Sequence, residues 1–410
     1  MVHPIRLYSE RTHYSREQRA QLADILRPYW KDAPISDEQR GKMYGLSAED
    51  FCLVDKPVQA DIAVLPMTWN HYLNRGELQR AVAFIHAAQR VGRPVLSYVS
   101  GDEGVTVPLG FGDVYVIRAS GRRSRSTNRQ LSQPVFFDDP LKHYPEMAEG
   151  EGQRSVVSSQ WPVVNCVPSI GFCGQASVNA LKLIADVLRA CLRNLSYYAG
   201  WRLHQPQPFY PTSLLRARAM RVLARSPLVV TRFIARSQYR AGANDTDTLE
   251  RTATEFYANI ASTDYTLCVR GGGNFSKRFY ETLAVGRIPV LVDTDCLLPF
   301  ESVLKWGDYI VRVPAGELAN LPKAVAGHFS AHGSSGLAEL KRRCRKLWEA
   351  KLAFGAFHRH LVRHILGFEK RASAPVSRLP SAVFELLPKM ADRRWEREHD
   401  ERLMWRSEFC

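Results

Sequence analysis

The residues best placed to do chemistry lie in one run, 264–300, reading DYTLCVRGGGNFSKRFYETLAVGRIPVLVDTDCLLPF. Tyr265–Val269 alternates like a buried strand. Arg270-Gly271-Gly272-Gly273-Asn274 follows as a loop in which three glycines permit close backbone approach. Ser276 suits an N-cap, and the helix it starts runs to about Val285, with Gly286 just past its end. Ile288–Val292 is the next strand and delivers Asp293 and Asp295 at its carboxyl end. A β-loop-α-β unit of this kind points the amides and positive dipole of a helix N-terminus into the crevice above the sheet, where an anion can be held. Arg278 can add a guanidinium to a phosphate, and Glu281, three residues on, can accept hydrogen bonds from ribose hydroxyls.

Two familiar nucleotide signatures fail here. Walker A needs a glycine directly before its lysine, and Lys277 follows Ser276; the dinucleotide fingerprint GxGxxG is missed by one residue, since the run ends in Ser276. Asp293-Thr294-Asp295 has the DxD form that chelates a divalent metal, and equally the form of a turn cap after a strand.

The elements around this unit alternate β and α. Ile5–Tyr8, residues 61–65, 94–99, 114–117 and 135–137 read as strands, with helices over 15–26 and 77–91. A polar loop at 121–130 and a charged linker at 146–155 follow. A second series then starts at Val163, with a helix over 177–195, two basic helical stretches, a helix over 249–260 and helices past residue 335. The pattern predicts an α/β protein with mostly parallel sheets.

The chain has 410 residues, enough for two or three domains, and its 45% hydrophobic and 24% charged residues exclude wholesale disorder. It has no apolar N-terminal run of signal-peptide type and no stretch of membrane-spanning length. The eight cysteines form no CxxC pair, which argues against a zinc or disulfide framework. Lys+Arg exceeds Asp+Glu by 56 to 41, and 43 of the 56 are arginine. Ten of these arginines fall between Val187 and Asn244, where there is no acid, so that segment attracts phosphorylated ligands, anionic polymers or an anionic membrane surface.

The run RGGGNFSKRFYETLAVGRIPVLVDTDCLLPF resembles the exostosin family of glycosyltransferases. Trp306 with the following YIVRV, the upstream GFCG at 171–174 and the late KRRCRKLWEA at 341–350 extend the resemblance over most of 163–355. It implies a GT-B fold, two Rossmann-like domains facing one another across a cleft: 1–158 on the acceptor side, 159–370 on the nucleotide-sugar side, and 371–410 as a helical tail. It further implies a nucleotide diphosphate sugar as donor, UDP-linked in the first instance, and transfer to a glycan or lipid-linked acceptor, which the basic surface allows to be anionic. Inversion without a metal or other cofactor is the implied chemistry. The residue eight after Glu281 is Pro289, which departs from the paired glutamates of many retaining GT-B enzymes.

Carried over residue by residue, Arg270, Ser276, Arg278 and Glu281 would contact the donor, with Gly271, Gly272, Asn274 and Asp293 around them. Gly272-Gly273-Asn274 replaces the bulkier, more basic loop of many animal members. An inverting transfer needs a general base from the first domain. Asp102 and Glu103, directly after the strand PVLSYVS, are the leading candidates; Asp138, Asp139 and His71 are others. The expected location is cytoplasmic, with peripheral contact at the inner membrane face. Two other readings are a basic nucleic-acid-binding protein, against which stands the lack of any recognition motif, and an inactive exostosin-like scaffold.

Overall fold

The computed structural model describes residues 3–31, 35–107, 112–147, 167–176, 180–208, 211–236 and 245–369. The domain boundary expected at 158/159, the linker at 146–155 beyond residue 147, and the tail at 371–410 lie outside these residues.

Two wholly parallel sheets form the frame. The first half contains β1 (Ile5–Tyr8), α1 (Asp37–Tyr44), β2 (Phe51–Val54), β3 (Ile62–Val64), α2 (Trp69–Asn74) and α3 (Leu78–Arg90). It continues with β4 (Val95–Val99), β5 (Val114–Arg118), β6 (Gln130–Ser132) and α4 (Pro140–His143), and its strand order is β2-β1-β3-β4-β5-β6. The second half contains β7 (Ser169–Gln175), α5 (Ala180–Tyr198), α6 (Thr212–Ala224), β8 (Val230–Arg236), α7 (Thr246–Ala261) and β9 (Tyr265–Cys268). After these come α8 (Lys277–Ala284), β10 (Ile288–Asp293), β11 (Val311–Pro314), α9 (Leu321–Leu347) and α10 (Phe354–Glu369), with strand order β11-β10-β9-β7-β8. This is an α/β architecture of two Rossmann-like halves, each a parallel sheet with covering helices.

Local chemistry accounts for the element boundaries. Ser36 and Gln39 close a reciprocal capping box at the start of α1, and Gly45, at φ 63°, ends it. Strands β4, β5, β9 and β10 are buried along their whole length, as parallel strands covered on both faces must be. Their side chains join one apolar core that runs through both halves.

The halves are tied at two places. Helix α10 crosses back to the first sheet, where Phe136 packs against Phe354 and Phe357 and Arg359 pairs with Asp50. Gly355 meets the backbone of Tyr44 and Gly45 so closely that any side chain there would collide. Arg345 of α9 grips Asp139 through both guanidinium nitrogens, at 2.7 and 2.6 Å.

Three expectations are corrected. Residues 16–21 and 24–26 form 3-10 turns rather than a helix, with non-helical backbone at Gln18. Residues 135–137 lie outside the sheet, whose last strand is β6, reached through the polar loop. The second basic helical stretch is the edge strand β8, whose alternating exposed residues leave its β-branched and aromatic side chains half covered. Strand β2, FCLV, was not anticipated.

Candidate active site

The carboxyl ends of β7 and β9 bring three arginines together. The glycines of GFCG make this possible. A Cβ on Gly171 would stand 2.7 Å from Thr263 Oγ1 and 2.9 Å from Asn259 Oδ1, so β7 lies directly against the end of α7. Gly174 has φ 154°, and a Cβ there would come within 2.6 Å of the Arg278 guanidinium. Arg278 fills that space. Its Nη2 donates to the Cys173 carbonyl at 2.6 Å, and its guanidinium lies 4.1 Å over the Phe172 ring, with Phe256 at 5.5 Å. Burial lowers its pKa.

Arg216, on α6, donates to the carbonyls of Gln175 at 3.2 Å and Arg270 at 2.9 Å. Arg270 donates to Gln207 Oε1 at 2.6 Å, to the Gly272 carbonyl at 3.0 Å and to Asn274 Oδ1 at 3.5 Å. Burial pushes the pKa of both down to about 10, and the charge of Arg278 adds to the effect at Arg216. All three remain cations at neutral pH. Among the described residues their hydrogen bonds go to neutral oxygens, so the cluster holds positive charge without a bonded carboxylate.

Helix α8 starts beside them. Ser276 occupies the N-cap position with extended backbone, but its side chain makes no capping bond, contrary to expectation. The first turn of α8 is closed instead by the Phe279 amide, which donates to the Ser276 carbonyl at 3.1 Å. Glu281 is buried, receives the Tyr257 hydroxyl at 3.3 Å and lies 3.5 Å from Lys277, its partner one turn back.

From the first half, the loop after β4 reaches the glycine run. A Cβ on Gly272 would stand 2.8 Å from Asp102 Oδ2, and one on Gly273 would overlap the Asp102 carbonyl oxygen. The Asp102 charge is felt at Arg270. Gly271 is different: its N–H donates to the Phe275 carbonyl at 2.9 Å, closing the loop.

The other base candidates, like Asp102, have partners in the fold. Glu103 bonds Arg193 at 2.9 Å and Arg202 at 2.6 Å, one oxygen each. Asp139 caps α4 and binds Arg345; burial alone would raise its pKa, and Arg345 holds it low. His71 is buried in α2, with its pKa lowered by burial. Asp138 lies 3.9 Å from His143.

Asn274 and the DTD triplet face the junction between the halves. The Asn274 amide N–H donates to Ser120 Oγ at 2.8 Å, its Nδ2 donates to the Gly121 and Asp295 carbonyls, and its Oδ1 accepts from Thr294 at 2.7 Å. Asp293 accepts from Arg312 at 2.9 Å, Arg123 at 3.1 Å and the Cys296 amide at 3.0 Å. Its burial would raise the carboxyl pKa, but Arg312 keeps it below the usual range. Asp295 receives the Ser124 amide at 3.0 Å and also its hydroxyl. The polar loop at 121–130 is thus a clasp on the second half. Of the expected donor residues, Arg270 and Glu281 are buried and Arg278 packs on Phe172, while Asn274 and Asp293 also bond across to the first half.

Arg216 and Gln207 were not anticipated as site residues. A signal existed for Arg216: it falls in the helical stripe of Leu215, Ala219, Met220 and Leu223, all buried, where a cation needs a reason.

Residues 219–327 match the exostosin GT47 domain. Over 66 residues the chain is 35% identical to a protein of Oryza sativa subsp. japonica described as a probable glucuronosyltransferase, covering 16% of this chain and 16% of that protein. The chain thus spans about a sixth of that relative's length. Among solved structures, an S. aureus TarM mutant in complex with fondaparinux, alpha-GlcNAc-glycerol and UDP aligns with 74% of this chain and 55% of its own, at 6% identity and a TM-score of 0.29.

Proposed function

We propose that this protein, whose residues 219–327 match the exostosin GT47 domain, is a glycosyltransferase acting on a nucleoside diphosphate sugar, with the diphosphate held at Arg216, Arg270 and Arg278. The observation that carries this reading is the cluster itself: three cations, two with pKa pushed down to about 10 by burial, bonded to neutral oxygens beside a helix N-terminus. Gathering such charge in a partly dry place costs stability unless an anion answers it. A departing diphosphate supplies that anion, and donors already in place stabilise its growing charge.

Glu281, one turn along α8 from Arg278, orients a donor hydroxyl, while Asp102 takes the proton from the acceptor hydroxyl. Asp102 belongs to the first half and lies against the glycine run; there it takes the proton of an acceptor hydroxyl that attacks the sugar carbon from the first-half side as the diphosphate leaves. That arrangement supports inversion. The guanidinium cluster supplies the charge that a metal would otherwise carry, which supports metal independence. The rice relative's description makes glucuronate one sugar to include in a screen.

The test is a thermal-shift and transfer screen of the whole chain against UDP-, GDP-, ADP- and CMP-sugars, with and without EDTA. One diphosphate nucleotide should raise the melting temperature in EDTA and its sugar should be transferred. A chain indifferent to all of them contradicts the reading.

A further inference from the structure

Helix α5 is packed inside out. Toward the body of the protein it presents Asn194, which exchanges hydrogen bonds with the Gln207 backbone at 2.7 and 3.1 Å, Arg193, which binds Glu103, and Tyr197, whose hydroxyl meets Thr106 at 2.8 Å. Away from it, Ile184, Leu188, Leu192, Leu195 and Tyr198 recur at helical spacing along one stripe, continued by Trp201 just beyond the helix. Leu192 is 65% exposed and Tyr198 75%. A soluble helix buries its apolar stripe and wets its polar one, so this stripe is shaped for a surface outside the described protein.

The charge around the stripe identifies that surface. The chain as a whole carries 56 basic against 41 acidic side chains; on α5 itself Arg189 and Arg193 lie beside the stripe, 63% and 41% exposed, and Asp186 is held by Arg189 at 2.8 Å. An anionic bilayer answers both features, acyl chains for the leucines and headgroup phosphates for the guanidiniums, and Tyr198 and Trp201 suit the interface between them.

We infer that the outer face of α5 docks on an anionic lipid surface. The inner face of α5 holds Glu103, the neighbour of Asp102, so docking sets the first-half side of the cleft close to the lipid headgroups. Resting on the sugar-transfer reading, this makes the acceptor a hydroxyl presented at a membrane surface, on a lipid-linked glycan.

Flotation of the full chain with phosphatidylcholine vesicles, with and without phosphatidylglycerol, tests the docking. The wild type should float with the anionic vesicles, less so as salt rises. A variant with Leu188→Gln, Leu192→Gln and Leu195→Gln together should stay behind, with melting temperature and UDP affinity unchanged. Wild type that ignores anionic vesicles, or a variant that floats equally well, overturns the inference. So does a wild-type dimer that the variant turns into a monomer, or a variant that unfolds, since either means protein covers the stripe. Flotation with no response to any nucleotide would sink the sugar-transfer reading alone.

Discussion

Gly273 and Asp102, from opposite halves of the molecule, touch so closely that a side chain on Gly273 would overlap the Asp102 carbonyl oxygen. The glycine run therefore answers first to the meeting of the two halves. Gly273→Ala should force the β4 loop away and cost about 1–3 kcal/mol by overpacking, read as a shift in the urea midpoint. An alanine variant as stable as wild type would show that the halves can part without penalty.

Gly174 and Arg278 form the corresponding pair within the second half. Gly174→Ala would push the guanidinium off the Cys173 carbonyl and the Phe172 ring. Losing a charge-assisted hydrogen bond of about 1.5–3 kcal/mol to the ligand weakens UDP about 10- to 150-fold. Calorimetry would read this directly, and unchanged affinity would place the nucleotide away from Arg278.

Much of this was legible in the sequence. Tyr265–Cys268, the helix after Ser276 and Ile288–Asp293 follow from period and punctuation, because each element is long or sharply bounded. The clasp bonds of Asn274 and Asp293 were not legible, since a sequence shows spacing but not which half of the protein a side chain turns toward. Their partners, Ser120 and Arg123, are more than 150 positions away. Strand β8 was misread as helix because its arginines mask the alternation of an edge strand.

Asp102 and Glu103 are adjacent in sequence and differ in surroundings. Asp102→Asn should lower kcat about 10²- to 10⁴-fold, the range for loss of a general base, while UDP affinity holds. Glu103→Gln breaks the pairing with Arg193 and Arg202, so it should lower the melting temperature more than the chemical step. Steady-state kinetics of the two variants beside their melting curves separates these roles; the reverse pattern would make Glu103 the base.

His358 is fully buried under Phe354 and Phe136, beside Tyr98. Its Nδ1–H donates to the Phe354 carbonyl at 2.8 Å, and Nε2 has no hydrogen-bond partner among the described residues. Burial pushes its pKa down to about 4. Between an unfolded pKa of about 6.5 and that value, only the unfolded chain takes up the proton, so stability falls as pH falls through this window. The loss reaches about 3 kcal/mol at its lower end. His358→Met should flatten the melting temperature over that range, and an equally steep decline in the variant would assign the acid sensitivity to other groups.

The central claim is that the guanidiniums of Arg216, Arg270 and Arg278 hold a nucleoside diphosphate. Titration calorimetry of UDP into the whole chain in EDTA, beside Arg216→Ala and Arg278→Ala, tests it most directly. Binding by the wild type and at least a ~10-fold loss in each variant, with melting temperatures that stay above the assay temperature, is the predicted result. Folded variants that bind UDP as tightly as the wild type would contradict it.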